Sequence, residues 1–113
     1  MKLVTAIIKP NKVEDLRKAL TEVNVLGLTI TEAKGYGRQK GHTEMYRGAE
    51  YDVHFLPKSR AEIIIADELV EKIISIISET VKTGEIGDGK IFITDVSEII
   101  RIRTGERGEE AIS

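Results

Sequence analysis

Residues 61–96 read AEIIIADELVEKIISIISETVKTGEIGDGKIFITDV, and three different patterns follow one another along them. The first, residues 61–66, is short and rich in β-branched side chains, as in a buried strand. In the second, apolar residues recur at helical spacing and predict a helix over 68–82 with one apolar face: Leu69, Ile73, Ile77 and Val81. The third, residues 90–96, is again β-branched. The stretch therefore predicts a strand–helix–strand unit.

Two residues mark the predicted ends of this helix. Asp67 stands directly before it, where a carboxylate can accept hydrogen bonds from the first unpaired backbone N–H groups. Gly84 stands just after it, where glycine commonly ends a helix in the left-handed conformation.

The first part of the chain has the same order of patterns. Residues 3–9 (LVTAIIK) form a β-branched run that predicts a buried strand. Asn11 and Glu14 are spaced as a capping box for a second helix. The apolar positions of that helix are Val13, Leu16, Leu20 and Val23. Gly27 is its predicted end, and the alternation over residues 28–35 predicts a half-exposed strand.

The whole chain, residues 1–113, therefore reads as one domain with the order strand, helix, strand, long loop, strand, helix, strand. This βαββαβ order predicts an α+β, ferredoxin-like fold in which two helices cover one face of an antiparallel sheet. Residues 37–57 form the long loop, which lacks any sustained period; such loops are typically functional or disordered. The second face of the sheet needs another cover, and we expect partner subunits to provide it.

Composition restricts the function classes. The chain has 113 residues, of which 41% are apolar and 32% charged, as in an ordinary globular domain. A formal charge of −2 argues against nucleic-acid binding, which requires a basic face. Cysteine is absent, which excludes disulfides and thiolate chemistry. The apolar start is too short for a signal segment or a membrane span, so we expect a cytoplasmic protein.

The segment KTGEIGDGKIF, residues 82–92, has the composition of a phosphate-binding loop. Its glycines permit positive φ and expose backbone N–H groups to an anion, and Lys90 adds a positive charge. The spacing is not that of a P-loop, because Ile91 stands where a metal-binding hydroxyl is required. The segment also precedes a strand and not a helix. A plain helix-to-strand turn would use the same residues, so both interpretations stay open.

A second basic segment, RIRTGER, occupies residues 101–107. Arg101 and Arg103 are two positions apart, so in an extended segment they would point the same way and could bind a polyphosphate together. A solvent-exposed strand end would account for them equally well. The residues by themselves thus indicate an anion-binding domain with a long polar loop, and they indicate no reaction, because no base or nucleophile can be assigned.

Two segments, YRGAEY at 46–51 and TGEIGDGKIFI at 83–93, together resemble the signature segments of the PII nitrogen-regulatory signal-transduction proteins. The resemblance extends over essentially the whole chain, through AIIKP at 6–10, FLPK at 55–58 and IRIRTGE at 100–106. It implies a cytosolic homotrimer of ferredoxin-like subunits, in which ATP and ADP compete for clefts between neighbouring subunits.

The resemblance also implies ligand-binding roles for particular residues. The residues that match its phosphate loop are Gly87, Asp88, Gly89 and Lys90. Arg101 and Arg103 match a basic arm that enters the cleft from the neighbouring chain. The other nucleotide-binding positions match Thr29, Gly35, Gly37, Arg38 and Ile64. Gln39 matches the ligand of Mg²⁺ beside ATP, and an amide oxygen suits this hard cation. The positions that match the 2-oxoglutarate site are Gln39, Lys58 and Gly87.

The function that the resemblance implies is that of a sensor and not of an enzyme. In the family the long loop engages target proteins, including ammonium transporters and nitrogen-metabolism enzymes. Tyr51 matches a tyrosine that a nucleotidyltransferase modifies in some members, by uridylylation or adenylylation. Two alternatives remain: a small ATP-hydrolysing enzyme on a ferredoxin-like scaffold, and a purely structural oligomerisation domain. The first lacks a positioned base, and the second leaves the glycines, the arginines and the long loop without a role.

Overall fold

A computed structural model describes residues 1–37, 42–46 and 49–112, with the backbone alone for 42–46 and 49–53. Its strands and helices, in chain order, are β1 (Lys2–Ile8), α1 (Val13–Glu22), β2 (Thr29–Gly35), β3 (His42–Tyr46), β4 (Ala49–Val53), β5 (Leu56–Ile65), α2 (Val70–Val81) and β6 (Lys90–Asp95). Four of the strands form one antiparallel sheet in the order β2-β5-β1-β6. In the centre of this sheet, Val4 stands opposite both Ile63 and Ile93. The predicted α+β, ferredoxin-like βαββαβ fold is thereby confirmed.

The core lies between this sheet and the two helices. Side chains alternate along a strand, so every second residue of β1 and β5 faces the helices. The buried residues of these strands are Val4, Ala6, Ile8, Ala61, Ile63 and Ile65. The helices contribute Leu16, Leu20, Ile73, Ile77 and Val81. Those five helical positions were predicted from their spacing, and the structure confirms them. Leu69, predicted on the same face, lies in a 3₁₀ turn before the second helix and is 37% exposed, so that part of the prediction is wrong.

Both predicted helix starts are wrong. A 3₁₀ turn at Pro10–Lys12 contains Asn11, so Lys12 occupies the N-cap of α1 and no side chain caps the helix. A second 3₁₀ turn at Asp67–Leu69 likewise displaces Asp67 from the N-cap of α2. The Asp67 carboxylate instead accepts a hydrogen bond of 2.8 Å from the amino group of Met1.

The predicted helix ends are also displaced. Helix α1 ends at Glu22, well before Gly27, and Asn24 takes the left-handed conformation with φ of 59°. Helix α2 ends at Val81, and its C-cap, Lys82, has an extended backbone. Gly84 does have a positive φ of 87°, but it belongs to the following loop.

The connection between β2 and β5 contains more regular structure than its pattern predicted. Strands β3 and β4 pair antiparallel, from His42 opposite Val53 to Tyr46 opposite Ala49. Strand β5 begins at Leu56 and not at residue 61. The alternation of apolar and acidic residues over 49–53 (AEYDV) is short, and residues 42–46 (HTEMY) lack it, so no sustained period indicated a pair of strands. We call this pair of strands, residues 42–46 and 49–53, the hairpin.

The sheet face opposite the helices is partly polar. Thr5 lies there between Glu62 and Phe92 of the neighbouring strands and is 0% exposed. Within the part of the chain that the structure describes, its Oγ1 has no hydrogen-bond partner. The Arg60 guanidinium lies 5.7 Å from the centroid of the Phe92 ring, and its Nε is 3.4 Å from the Glu62 carboxylate. Across residues 1–37, 42–46 and 49–112, no helix has the length and apolar character needed to cross a membrane.

Candidate ligand-binding cleft

Glycines shape the loop between α2 and β6. We call this loop, together with the first residue of β6, the glycine loop (residues 82–90). Gly84, Gly87 and Gly89 have φ of 87°, 99° and 97°, a region that other residues rarely adopt. Gly89 is constrained a second time, because a Cβ there would lie 1.6 Å from the backbone oxygen of Ile7. The glycine loop therefore lies directly against the end of β1, and only glycine fits at position 89.

Asp88 holds the glycine loop in shape. One carboxylate oxygen accepts hydrogen bonds of 2.9 Å from the backbone N–H groups of Thr83 and Gly84. The other oxygen accepts from the Thr83 hydroxyl and lies 3.3 Å from Nζ of Lys9. These hydrogen bonds, those from Thr83 foremost, hold the pKa of the Asp88 carboxyl well below its ordinary value. Asp88 thus closes the loop on itself and ties it to the end of β1.

Replacement of the Asp88 carboxylate should loosen the glycine loop. In Asp88→Asn we expect the backbone amides of Thr83 and Gly84 to exchange their hydrogens about tenfold faster than in the wild type near pH 6. Because folding lowers the pKa of Asp88, its contribution is complete above about pH 4 and is lost as the pH falls towards the folded-state pKa. The difference in amide exchange rate between the wild type and Asp88→Asn should therefore narrow below about pH 4.

Glu85→Gln is the matched control for Asp88→Asn, since Glu85 is an exposed carboxylate in the same loop. This control variant should leave the exchange rates of the Thr83 and Gly84 amides unchanged. Equal exchange rates in wild type and Asp88→Asn near pH 6 would contradict the role assigned to Asp88.

A cleft of about 590 Å³ lies between the glycine loop and the root of the long connection. On one side it is lined by residues 84–90, and on the other, among the described residues, by Ile7, Gly35, Tyr36, Gly37 and Lys58. The structure thus brings together, in one cleft, a large part of the residues that the sequence nominated: Gly35, Gly37, Lys58, Gly87, Asp88, Gly89 and Lys90.

Lys58 connects the two sides of the cleft. It lies in β5 opposite Ala33, and its ammonium group donates a hydrogen bond of 2.9 Å to the backbone oxygen of Gly87. Its stem passes beside Gly35, where a Cβ would come within 3.2 Å of the Lys58 Cγ. With Lys90 exposed at the start of β6, the cleft has two cationic side chains beside a glycine-rich backbone. That combination suits an anionic ligand.

Thr29 and Ile64 lie outside this cleft, in a second cavity of about 290 Å³. The other residues that line it are Leu3, Gly27, Glu62, Ile63, Ile99 and Ile112. Among the described residues, the two linings have none in common. Within one chain, Thr29 and Ile64 are therefore separated from the nominated residues of the larger cleft.

The basic arm, residues 101–107, is not extended, so the expected common orientation of Arg101 and Arg103 does not follow. The N–H of Gly105 donates to the oxygen of Arg101 at 2.8 Å, and Ile100 pairs with Arg107 in an isolated bridge. The turn has a glycine because its φ at position 105 is 82°. Ile102, between the two arginines, is 100% exposed.

Arg101 is held by residues of its own chain. Its guanidinium lies 3.1 Å from the Glu106 carboxylate and donates a hydrogen bond of 2.7 Å to the backbone oxygen of Glu110. Arg103 is exposed. Neither arginine is among the described residues that line the cleft of this chain.

Three nominated residues cannot be placed in the site. Arg38 and Gln39 lie outside the described residues, and for Tyr51 only the backbone is described, in β4 opposite Glu44. Across the described residues, no group of three or more His, Cys, Asp or Glu side chains converges as a metal-binding set.

Sequence inspection missed several residues that form or support the cleft. Tyr36 and Ile86 line it, and Lys9 and Thr83 hold the glycine loop through Asp88. Tyr36 had a recognisable signal, an aromatic residue between two glycines at a strand end. The contact between Lys9 and Asp88 joins residues that are distant in sequence, so no local pattern reveals it.

Comparison with known proteins agrees with this architecture. A family model described as "Nitrogen regulatory protein P-II" matches residues 1–106. The chain is 59% identical over 112 residues to the nitrogen regulatory protein P-II of Pasteurella multocida, with 99% of this chain and 100% of that protein covered. The P-II protein of Azospirillum brasilense is similar at 59% identity, and the nitrogen regulatory protein GlnK of Escherichia coli K12 at 57%, with the same coverage. The chain therefore belongs to the P-II family of nitrogen regulatory proteins, which are signal transducers and not enzymes.

Proposed function

We propose that this protein senses ATP, ADP and 2-oxoglutarate at clefts between the subunits of a homotrimer and regulates target proteins through its hairpin. The observation that carries the proposal is the cleft of about 590 Å³, in which a glycine loop faces two lysines. Backbone N–H groups at positive-φ glycines form an anion-binding concavity, and ammonium groups add charge without fixed geometry.

The phosphates of the nucleotide would contact the backbone of residues 87–90 and the ammonium group of Lys90. Asp88 would contribute through its backbone and through the loop shape that it maintains. Its carboxylate oxygens are already engaged by Thr83, Gly84 and Lys9. A negative carboxylate pointing at the phosphates would moreover repel them.

The second group of residues would come from a neighbouring subunit. The second cavity, with Thr29 and Ile64, would accept the adenosine part, and Arg101 and Arg103 would reach the phosphates. Three features support an assembly of subunits: the separation of the two groups within one chain, the fully exposed side chain of Ile102, and the open sheet face. A buried hydroxyl without a partner, such as that of Thr5, is costly, and a second subunit can remove that cost by hydrogen bonding.

The dicarboxylate 2-oxoglutarate would bind beside the phosphates, with Lys58 as its charge partner. A Mg²⁺ ion in contact with both ligands would have a suitable hard ligand in the amide oxygen of Gln39. A shared ion makes the binding of the two ligands mutually dependent, and linkage requires each to strengthen the other to the same degree.

The output would pass through the hairpin to ammonium transporters or to enzymes and regulators of nitrogen metabolism in the cytoplasm. Tyr51 in β4 would be the site of nucleotidylation in a host that has the modifying nucleotidyltransferase. Membership of the P-II family supports both proposals.

A mixing experiment tests whether the cleft draws on two subunits. Lys90→Ala removes the charge of the glycine loop, and Arg103→Ala removes a charge of the basic arm. Each variant alone should bind ATP weakly in calorimetry. In trimers reassembled from equal amounts of both, about a quarter of the interfaces combine an intact loop with an intact arm.

We therefore expect about a quarter of the wild-type number of high-affinity ATP sites to reappear in the mixture. A mixture prepared without subunit exchange is the control and should regain none. If the exchanged mixture also regains none, the cleft does not combine residues from two subunits.

A further inference from the structure

Two aromatic residues face each other where the long connection leaves the sheet. The last pair of the β2–β5 ladder is Gly35 opposite Leu56, so Tyr36 and Phe55 are the next residues on either side. Their ring centroids are 6.0 Å apart and the ring planes are tilted by 56°. This distance and tilt are favourable for an aromatic pair. Both residues are 58% exposed, so the contact is separate from the core.

One member of this pair belongs to the cleft and the other does not. Tyr36 lines the cleft, whereas Phe55 is absent from its described lining. A continuous set of contacts leads to Tyr36 from the glycine loop: the oxygen of Gly87 accepts from Lys58, and the Lys58 stem lies against Gly35. Phe55 continues this set on the other side of the ladder, directly before β5 and two residues after the end of β4.

We infer that the Tyr36–Phe55 pair is a clamp that couples occupancy of the cleft to the position of the hairpin. This inference rests on the proposed sensor function and names the residues that would transmit its signal. One solvent-exposed aromatic pair changes an equilibrium by roughly two- to tenfold. Such a bias favours one arrangement of the hairpin and is still small enough to be overcome when a ligand contacts Tyr36.

A change at either ring could alter ligand binding as well as the hairpin. The test therefore measures the position of the hairpin and the affinity for ATP separately. Phe55→Ala opens the clamp from the side that does not line the cleft. The chain contains no cysteine, so a spin label on Glu50→Cys reports on the hairpin alone. Label mobility is measured without ligand and with ATP, Mg²⁺ and 2-oxoglutarate, and ATP affinity is measured by calorimetry.

In Phe55→Ala we expect a more mobile label without ligand, and a ligand-induced change at most about half that of the protein with Phe55. The affinity for ATP should stay the same or rise by at most about tenfold, because the ligand no longer has to overcome the pair and Phe55 lies outside the described cleft lining. Phe55→Tyr keeps the ring and should behave as the wild type. Leu26→Ala truncates another exposed apolar side chain, 61% exposed, and should leave the label unchanged.

Two results would overturn the clamp. One is an unchanged label mobility in ligand-free Phe55→Ala. The other is a loss of ATP affinity in parallel with the label response, which would make the rings part of the ligand site. If ATP fails to bind even with Phe55 present, the proposed sensor function is wrong. The ligand-free comparison still decides whether the pair restrains the hairpin.

Discussion

Gly89→Ala should lower the free energy of unfolding by about 3 kcal/mol and reduce ATP affinity by about 100-fold or more. Two costs combine at this position. The backbone has φ of 97°, which is unfavourable for any residue with a Cβ, and that Cβ would lie 1.6 Å from the oxygen of Ile7. The obstacle is backbone in a central strand, so neither side can move without disturbing the sheet. Urea denaturation and calorimetry would measure the two effects.

Gly84→Ala is the matched control for this prediction. Gly84 has nearly the same φ, 87°, but a Cβ there would meet no atom within 4 Å. Only the conformational cost remains, so we expect a loss of about 1 kcal/mol and a small change in ATP affinity. An equal loss of unfolding free energy in Gly89→Ala and Gly84→Ala would show that the contact of the glycine loop with β1 is not what constrains position 89.

Lys58→Met should weaken the binding of 2-oxoglutarate about 30-fold or more while changing the affinity for ATP alone only a few-fold. Methionine keeps most of the apolar stem beside Gly35 and removes the ammonium group. A hydrogen bond to a charged group contributes about 1.5–3 kcal/mol, which corresponds to a factor of about 10 to 100. The variant also loses the hydrogen bond from Lys58 to Gly87, so a modest loosening of the glycine loop should accompany it.

Lys34→Met controls for the loss of one positive charge near the cleft. Lys34 is an exposed residue of β2, opposite Pro57, and is not part of the described cleft lining. It should leave 2-oxoglutarate binding within about twofold of the wild type. An equal loss of 2-oxoglutarate affinity in Lys58→Met and Lys34→Met would mean that Lys58 acts only through the overall charge of the protein.

The fold was predictable because its main signals are local. The spacing of Leu16 and Leu20, and of Ile73, Ile77 and Val81, reflects which helical face is buried, and the buried faces are those predicted. The helix starts were not predictable in the same way. Asn11 and Asp67 have the chemistry of caps, but a 3₁₀ turn before each helix moves the cap to the next residues.

The site was predictable in composition and less so in geometry. The glycine loop stands out in the sequence, whereas its attachment through Asp88 to Lys9 depends on the folded sheet and leaves no local pattern. Arg101 and Arg103 were expected in an extended segment. A positive φ at Gly105 closes a turn there instead, and Arg101 forms ion-pair and hydrogen-bond contacts within its own chain.

Calorimetric titration of the wild-type protein with ATP, with and without 2-oxoglutarate and Mg²⁺, tests the sensor function most directly. We predict that ATP binds alone, and that its affinity rises about tenfold when both other ligands are present. The affinity for 2-oxoglutarate should rise by the same factor when ATP is added, since linkage is reciprocal. No measurable binding of ATP at concentrations up to about 1 mM, or affinities that are independent of the second ligand, would contradict the account.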